Sequence, residues 1–488
     1  MVQILWVAEG SRTAERLPMT ASPPSTASLA EPVPVSPRFV TGSIARHILV
    51  MTGTSAVGLM SIFFSDFANI FFLGLAGDLQ LLAAVGYASS IMFFLISGSV
   101  GMAMAVTALV APALGARELP RARRLATHAI VFAGCASVLT VAAAWLMLPL
   151  LLGWLGSGGR TLALAHDFLR IVLPSLPPLA LGMCASAVLR SAGDPTRAMY
   201  ITLTGAVVAT ALDAILILWL GLGIYGAALA AVASNICILG VGWWGLSRVH
   251  GLLARPDWRA FTYDARLIAR FAIPAVLANL ATPAGGAYVT AAMAQLSDGA
   301  VAGWAVLGRI IPVAFGTIFS LSGSIGAIIG QNLGARAFDR VRATLNGGLM
   351  FAAAFSLIAW LALALSAPLL VYLFNASGDA GGLIVFFCRW LAPLFAFFGT
   401  LFVCNAACNT LGRPHYATAL SWGRATLGTV PFVTLGAHWG AEGALAGHMA
   451  GGIAFGLGAV LVVRSLIRRL ERELGGAAWL REAPAGGS

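Results

Sequence analysis

After residue 40 the chain alternates long apolar runs with short polar connections, and the runs carry the prediction. Twelve of them, each near the 20 residues that ~30 Å of hydrocarbon requires, span roughly 47–73, 82–111, 126–153, 164–189, 198–220, 226–247, 267–294, 301–332, 345–373, 383–410, 415–436 and 442–467. The pattern predicts an all-α polytopic membrane protein. The runs also fall into two sets of six. Gly115-Ala116-Arg117 returns as Gly334-Ala335-Arg336, an offset of 219 (334 − 115). At the same offset Phe168, Arg170 and Pro174 return as Phe387, Arg389 and Pro393, and Gly193 with Pro195 returns as Gly412 with Pro414. Six spans per copy is an even number, so both copies enter the membrane in the same sense and form a parallel repeat. The expected fold is 12 transmembrane helices in two six-helix lobes, with function to be sought between the halves.

The expected organisation is a disordered Pro- and Ser-rich extension over 1–40, an N-lobe over 41–250, a lobe linker over 251–266, a C-lobe over 267–470 and a tail over 471–488. Alternate connections hold the arginines: Arg117, Arg121, Arg123 and Arg124; Arg190 and Arg197; Arg248, Arg255, Arg259, Arg266 and Arg270; Arg336, Arg340 and Arg342; and Arg413. The other set is nearly bare. The positive-inside rule then places the arginine-rich side and both termini in the cytoplasm, in the cytoplasmic (inner) membrane.

Composition narrows the function classes. Hydrophobic residues make up 59% and charged residues 10% of 488, against roughly 25% charged in soluble proteins. The net charge of +11 is spread over loops rather than gathered into a basic stripe, so no nucleic-acid partner is expected. The chain contains no lysine and therefore no nucleotide-binding Gly-x-x-x-x-Gly-Lys loop. Six cysteines lie in apolar runs without a metal-binding spacing, so neither a disulfide nor a metal site is expected. No nucleophile, His-Asp set or metal cluster marks an enzyme.

The chemistry rests on acidic residues inside spans. Asp66 lies within the first run and Asp213 within the fifth, where a charge costs on the order of 2.5–3.5 kcal/mol. Two such carboxyls in one lobe can hold and release a proton and attract a cation. Asn69, Thr210 and Asn235 offer further oxygen ligands nearby, while Tyr288, Arg309 and Arg424 are polar residues of the second lobe. Arg424 has Gly205 at the equivalent position of the first lobe, and it favours an anionic or zwitterionic ligand.

Several motifs resemble the multidrug and toxic compound extrusion (MATE) family of efflux transporters. They are Ser65-Asp66-Phe67 with Leu81-Leu82-Ala83-Ala84-Val85-Gly86; Gly193-Asp194-Pro195 leading to Leu212-Asp213; Gly223-Ile224-Tyr225-Gly226-Ala227-Ala228-Leu229-Ala230; and Gly330-Gln331-Asn332-Leu333-Gly334-Ala335. The resemblance covers nearly everything after residue 40. It implies a secondary antiporter exporting organic cations or amphiphilic drugs by alternating access, with Asp66 and Asp213 as the proton-coupling residues. It implies no cofactor beyond an ion gradient, and a monomer in the bilayer with small-molecule substrates.

This chain departs from the family pattern at Ala209 and Ala231, where relatives carry an asparagine and a threonine. Two oxygen ligands are missing, which favours protons over sodium. The seventh and tenth spans have no acidic residue, and the first span has no proline near Met51. Sodium-coupled antiport and a lipid-linked saccharide or other amphiphile flippase of the wider superfamily are the alternatives.

Overall fold

The computed structural model describes residues 37–75, 79–154 and 159–482. Its helices are α1 (Ile44–Leu75), α2 (Leu79–Gly115), α3 (Leu119–Leu146), α4 (Gly159–Ser191), α5 (Pro195–Trp219) and α6 (Gly223–Val249) in the first lobe. The second lobe has α7 (Trp258–Ala294), α8 (Asp298–Gly334), α9 (Phe338–Leu373), α10 (Gly378–Thr410), α11 and α12 (Gly440–Glu482). Eleven of these are each long and apolar enough to cross a membrane. The remaining span, α11, is assembled from Pro414–Gly423, a π-helical turn Arg424–Gly428 and Val430–Ala437. Pro431 in its second part has no N–H for the preceding turn, which accounts for the interruption.

The sequence repeat is written into the backbone. Arg117 (φ 59°) and Arg336 (φ 57°) both sit in the left-handed region, and so do Gly193 (81°) and Gly412 (80°). Each terminates a helix the same way: Glu118 N–H donates to Ala113 O and Ala337 N–H to Asn332 O, while Asp194 N–H donates to Leu189 O and Arg413 N–H to Cys408 O. These are the six-to-one closures of a Schellman turn, which satisfy the last carbonyls of a helix and reverse the chain. All four lie on the arginine-rich side. Within the spans, Pro174 and Pro393 each sit in a short 3-10 segment that breaks α4 or α10.

The lobes meet through α2 and α8, flanked by α1 against α8 and α7 against α2. Small residues govern this crossing. A side chain on Gly115 would overlap the Gln331 carbonyl, and one on Gly334 would overlap the Pro112 carbonyl. Those two contacts are related by the repeat, and Gly330 faces its own counterpart, Ala111. The backbones therefore touch on the pseudo-twofold axis, an approach open only to residues without a bulky Cβ substituent.

Two sequence expectations need correction here. Residues 1–36 of the predicted extension lie outside the described residues, but 37–40 are fixed. Phe39 is 3% exposed; its N–H donates to Gln331 Oε1 (2.9 Å), and its carbonyl accepts from Arg340 Nη2 (2.8 Å) and Asn332 Nδ2 (3.2 Å). Arg38 Nη1 donates to Gly193 O (3.2 Å) in the other lobe, and Gln331 Nε2 donates to Ser191 O (2.7 Å). Second, residues 258–266 of the predicted linker are helical, because Asp257 caps α7 by accepting from Arg259 and Ala260 N–H. The predicted tail likewise continues α12 to Glu482, and 483–488 lie outside the described residues.

Two buried acid–imidazole pairs flank the shortened linker, one just after α6 and one joining α7 to α3. His250 Nε2 meets Asp194 Oδ2 at 2.8 Å, and His128 Nδ1 meets Asp264 Oδ2 at 2.7 Å, with Arg124 Nε 3.1 Å from the same oxygen. Burial works against the Asp194 carboxylate, but hydrogen bonds from His250 and Arg197 outweigh it and hold its pKa well below the ordinary carboxylate range. With its folded value depressed, Asp194 contributes stability above the unfolded value of ~3.9 and loses it only in stronger acid.

The crossing yields a direct test. Gly115→Ala and Gly334→Ala should each destabilise the fold by about 1–3 kcal/mol through overpacking, seen as a lower thermal unfolding midpoint in detergent. Gly240→Ala, where nothing lies within 4 Å of the added methyl, should stay within about 0.5 kcal/mol of wild type.

Candidate functional site

Asp213 closes the regular part of α5, where a π-helical turn, Ala214–Trp219, follows it. It is 2% exposed, and its Oδ1 is buried without a hydrogen-bond partner. The Asn69 side chain of α1 reaches its carboxyl group, and Asp66, one turn earlier on α1, is close enough to interact with it through its charge. Asp66 itself lies on an accessible face of α1 that also presents Phe67 and Phe71. The α1–α5 packing is what brings the two carboxyls together. Gly58 of α1 accommodates Thr202 of α5, so a side chain there would separate the helices.

The structure thus gathers Asp66, Asn69 and Asp213, and leaves Thr210 half-buried one turn before Asp213. Asn235 is engaged elsewhere: its Nδ2 donates to Ser175 Oγ (2.8 Å) at the 3-10 break of α4. Tyr288 belongs to the second lobe, where its hydroxyl meets Thr434 Oγ1 at 2.6 Å. Arg309 is on an exposed face of α8. Arg424 is 4% exposed within the second lobe, with its guanidinium carbon 5.2 Å from the centre of the Phe398 ring. Of the six cavity candidates, Asn69 and Thr210 lie near Asp213, Asn235 is hydrogen-bonded to Ser175, and Tyr288, Arg309 and Arg424 belong to the second lobe.

Arg190, expected in a connection, forms the last turn of α4 and points inward. Its Nη1 donates to Ser186 Oγ (2.6 Å), its Nε is buried without a partner, and it lies beside Gly323 of α8. The repeat places Asn409 opposite it, and Asn409 Oδ1 is also buried and unpartnered. Thr107, Ser322 and Thr410 complete a polar recess between the lobes with Asn409. The 219-residue offset pairs Arg190 with Asn409 and was the available signal.

Two six-helix repeats crossing at a pseudo-twofold, with a carboxyl pair embedded in one lobe, define a membrane transporter. The family model MatE matches residues 55–215 and again 274–434, reproducing the 219-residue offset, and the chain belongs to this family. It is 26% identical over 409 residues, 82% of this chain and 90% of the relative, to a protein of Shewanella oneidensis named FAD transporter. It is 24% identical to the probable multidrug resistance protein YoeA of Bacillus subtilis, over 55% of this chain and 60% of that one. The bent form of the Vibrio cholerae MATE transporter VcmN shares the fold with TM-score 0.82 at 24% identity, covering 88% of this chain and 98% of that chain. A MOP superfamily transporter from Pyrococcus furiosus, described as having a binding pocket of reverse polarity, gives TM-score 0.84 at 20% identity, covering 89% and 98%.

A residue kept for function at the expense of stability leaves a thermodynamic trace. Asp213→Asn should stabilise the fold by about 0.5–2 kcal/mol, seen as a higher thermal unfolding midpoint, because it removes a buried acid facing a second acid. Asn235→Ala should destabilise the fold by about 1 kcal/mol through loss of the Ser175 hydrogen bond. Differential scanning fluorimetry on purified protein reads both.

Proposed function

We propose that this transporter is a secondary antiporter that exports organic cations or amphiphilic drugs in exchange for protons. The observation that carries the reading is the buried, partly unsatisfied Asp213 with Asn69 and Asp66 beside it, deep in the span and without a paired cation among the described residues. A carboxyl so placed is expensive. A proton, or a cationic substrate, neutralises it, and competition between the two for the same carboxyls couples their opposite movements. Alternating access then exposes the pair to one side at a time. The gradient is the energy source, with protons favoured over sodium by the oxygen ligands missing at Ala209 and Ala231. The arginine-rich loops orient the molecule with both termini in the cytoplasm of the cell and the protein in its cytoplasmic membrane. The closed contact of α2 with α8 is then the cytoplasmic gate, and one chain suffices for the cycle.

A second reading takes its support from the relative named FAD transporter, which aligns over 82% of this chain. On that reading the cargo is an aromatic phosphate ester rather than a cation.

Ethidium uptake into sodium-free proteoliposomes under an imposed pH gradient distinguishes them. Wild type should accumulate the dye, Asp213→Asn should lose accumulation, and Asp66→Asn should fall at least ~10-fold, the effect of ~1.4 kcal/mol. Dye movement that is indifferent to the pH gradient, or fully retained in both variants, contradicts proton-coupled cation antiport.

A further inference from the structure

The two lobes carry opposite chemistry at mid-span. The first has two carboxyls; the second has a buried arginine where the first has Gly205. At the positions related to Asp66 and Asp213 the second lobe has Gly285 and Phe432. Every acidic residue of the second lobe after Asp264 sits at or beyond the end of a span, at Asp298, Asp339, Asp379, Glu442, Glu471, Glu473 and Glu482. Arg424 follows ten residues of helix from Pro414, or ~15 Å at 1.5 Å per residue, half of a ~30 Å hydrocarbon layer. This depth is out of reach of lipid headgroups.

The guanidinium has no ion pair and no hydrogen bond among the described residues. Its neighbours are the Phe398 ring and His448, which lies close enough to feel its charge and adds no negative group. His448 in turn packs edge-on to Trp304 (5.9 Å between ring centres) and against Phe398 (5.5 Å). Trp304 is held by Thr290 through Nε1 (3.0 Å). Gly285 comes close to Ala425, so the wall beside the arginine is made of small groups. A cation buried at this depth without a counter-charge is costly. An aromatic shelf beside it and a planar fork of donors suit a flat, aromatic ligand bearing an anionic group.

We propose that Arg424, with Phe398, Trp304 and His448, forms a second-lobe subsite for the carboxylate or phosphate group of an aromatic substrate. The proposal rests on the reading of the chain as a drug exporter and widens its cargo to aromatic anions and zwitterions. Arg424 supplies the charge and the paired donors; half-buried Trp304 supplies the aromatic surface, and Phe398, stacked on Phe395 and covered by the guanidinium, positions the arginine.

The test uses the purified full chain in detergent and the fluorescence anisotropy of 5-carboxyfluorescein. Wild type should bind it, 1-naphthoate or 1-naphthyl phosphate should compete, and neutral 1-naphthalenemethanol should compete at least ~10-fold less well. The two anionic competitors distinguish a carboxylate from a phosphate as the preferred group. Arg424→Gln should weaken binding at least ~10-fold, Arg424→Lys by a smaller factor because it keeps the charge but not the fork, and Phe398→Leu by ~3-fold or more. If Arg424→Gln does not fold, Arg424→Lys and Phe398→Leu carry the test. Absence of dye binding by wild type, equal competition by the neutral alcohol, or binding unchanged in the arginine variants overturns the proposal. Proton-driven ethidium uptake by wild type keeps the two readings apart: carboxyfluorescein binding that depends on Arg424 in a protein that takes up no ethidium indicts the antiport reading alone, and ethidium uptake without carboxyfluorescein binding overturns the subsite alone.

Discussion

The backbone contact between α2 and α8 is the constraint on which the rest of the molecule depends. Because Gly115 and Gly334 carry no Cβ, each helix lays its end on a carbonyl of the other, and the two lobes touch on their symmetry axis. Gln331, next to that contact, ties Phe39 before α1 to Ser191 at the end of α4. One residue thus spans the entrance to the first lobe, the second lobe and the α4–α5 turn. On the proposed alternating-access cycle this end opens in part of the cycle, which asks for a contact that is close and reversible. Small residues and a few hydrogen bonds provide that, whereas a large interdigitated apolar interface would resist separation.

The same duplication that builds the α2–α8 contact allows the lobes to diverge. Equivalent turns and helix breaks survive in both copies, as the matching φ angles of Arg117 with Arg336 and Gly193 with Gly412 show. The chemistry inside does not survive equally. The first lobe keeps a buried acid against α1, and the second keeps a buried base against α10. A symmetric scaffold thus carries asymmetric contents, which is the basis of the proposed division between ion coupling in one lobe and cargo selection in the other.

Much of this was legible in the sequence. Run length predicted the spans, the repeat predicted the lobes, and an aspartate inside an apolar run has so few tolerable explanations that Asp66 and Asp213 stood out. Other residues were hidden for identifiable reasons. Arg190 sits near a span end, and run length cannot show whether such an arginine turns outward to water or inward to the other lobe. Asn235 looked like a spare ligand, but its partner Ser175 is 60 residues away and only the α4–α6 packing brings them together. Arg38 and Phe39 follow a proline-rich stretch and were read with it. Their partners lie as far away as Gln331, beyond anything local composition can report.

The central claim is that substrate and proton compete for the same pair of carboxyls. Proton release on substrate binding tests it most directly: ethidium is added to detergent-purified protein in weakly buffered, sodium-free solution containing a pH indicator, at a pH where the pair is protonated. The account predicts release of protons in proportion to bound dye in wild type and none from the Asp66→Asn, Asp213→Asn double variant. Stoichiometric dye binding without proton release in wild type would contradict it.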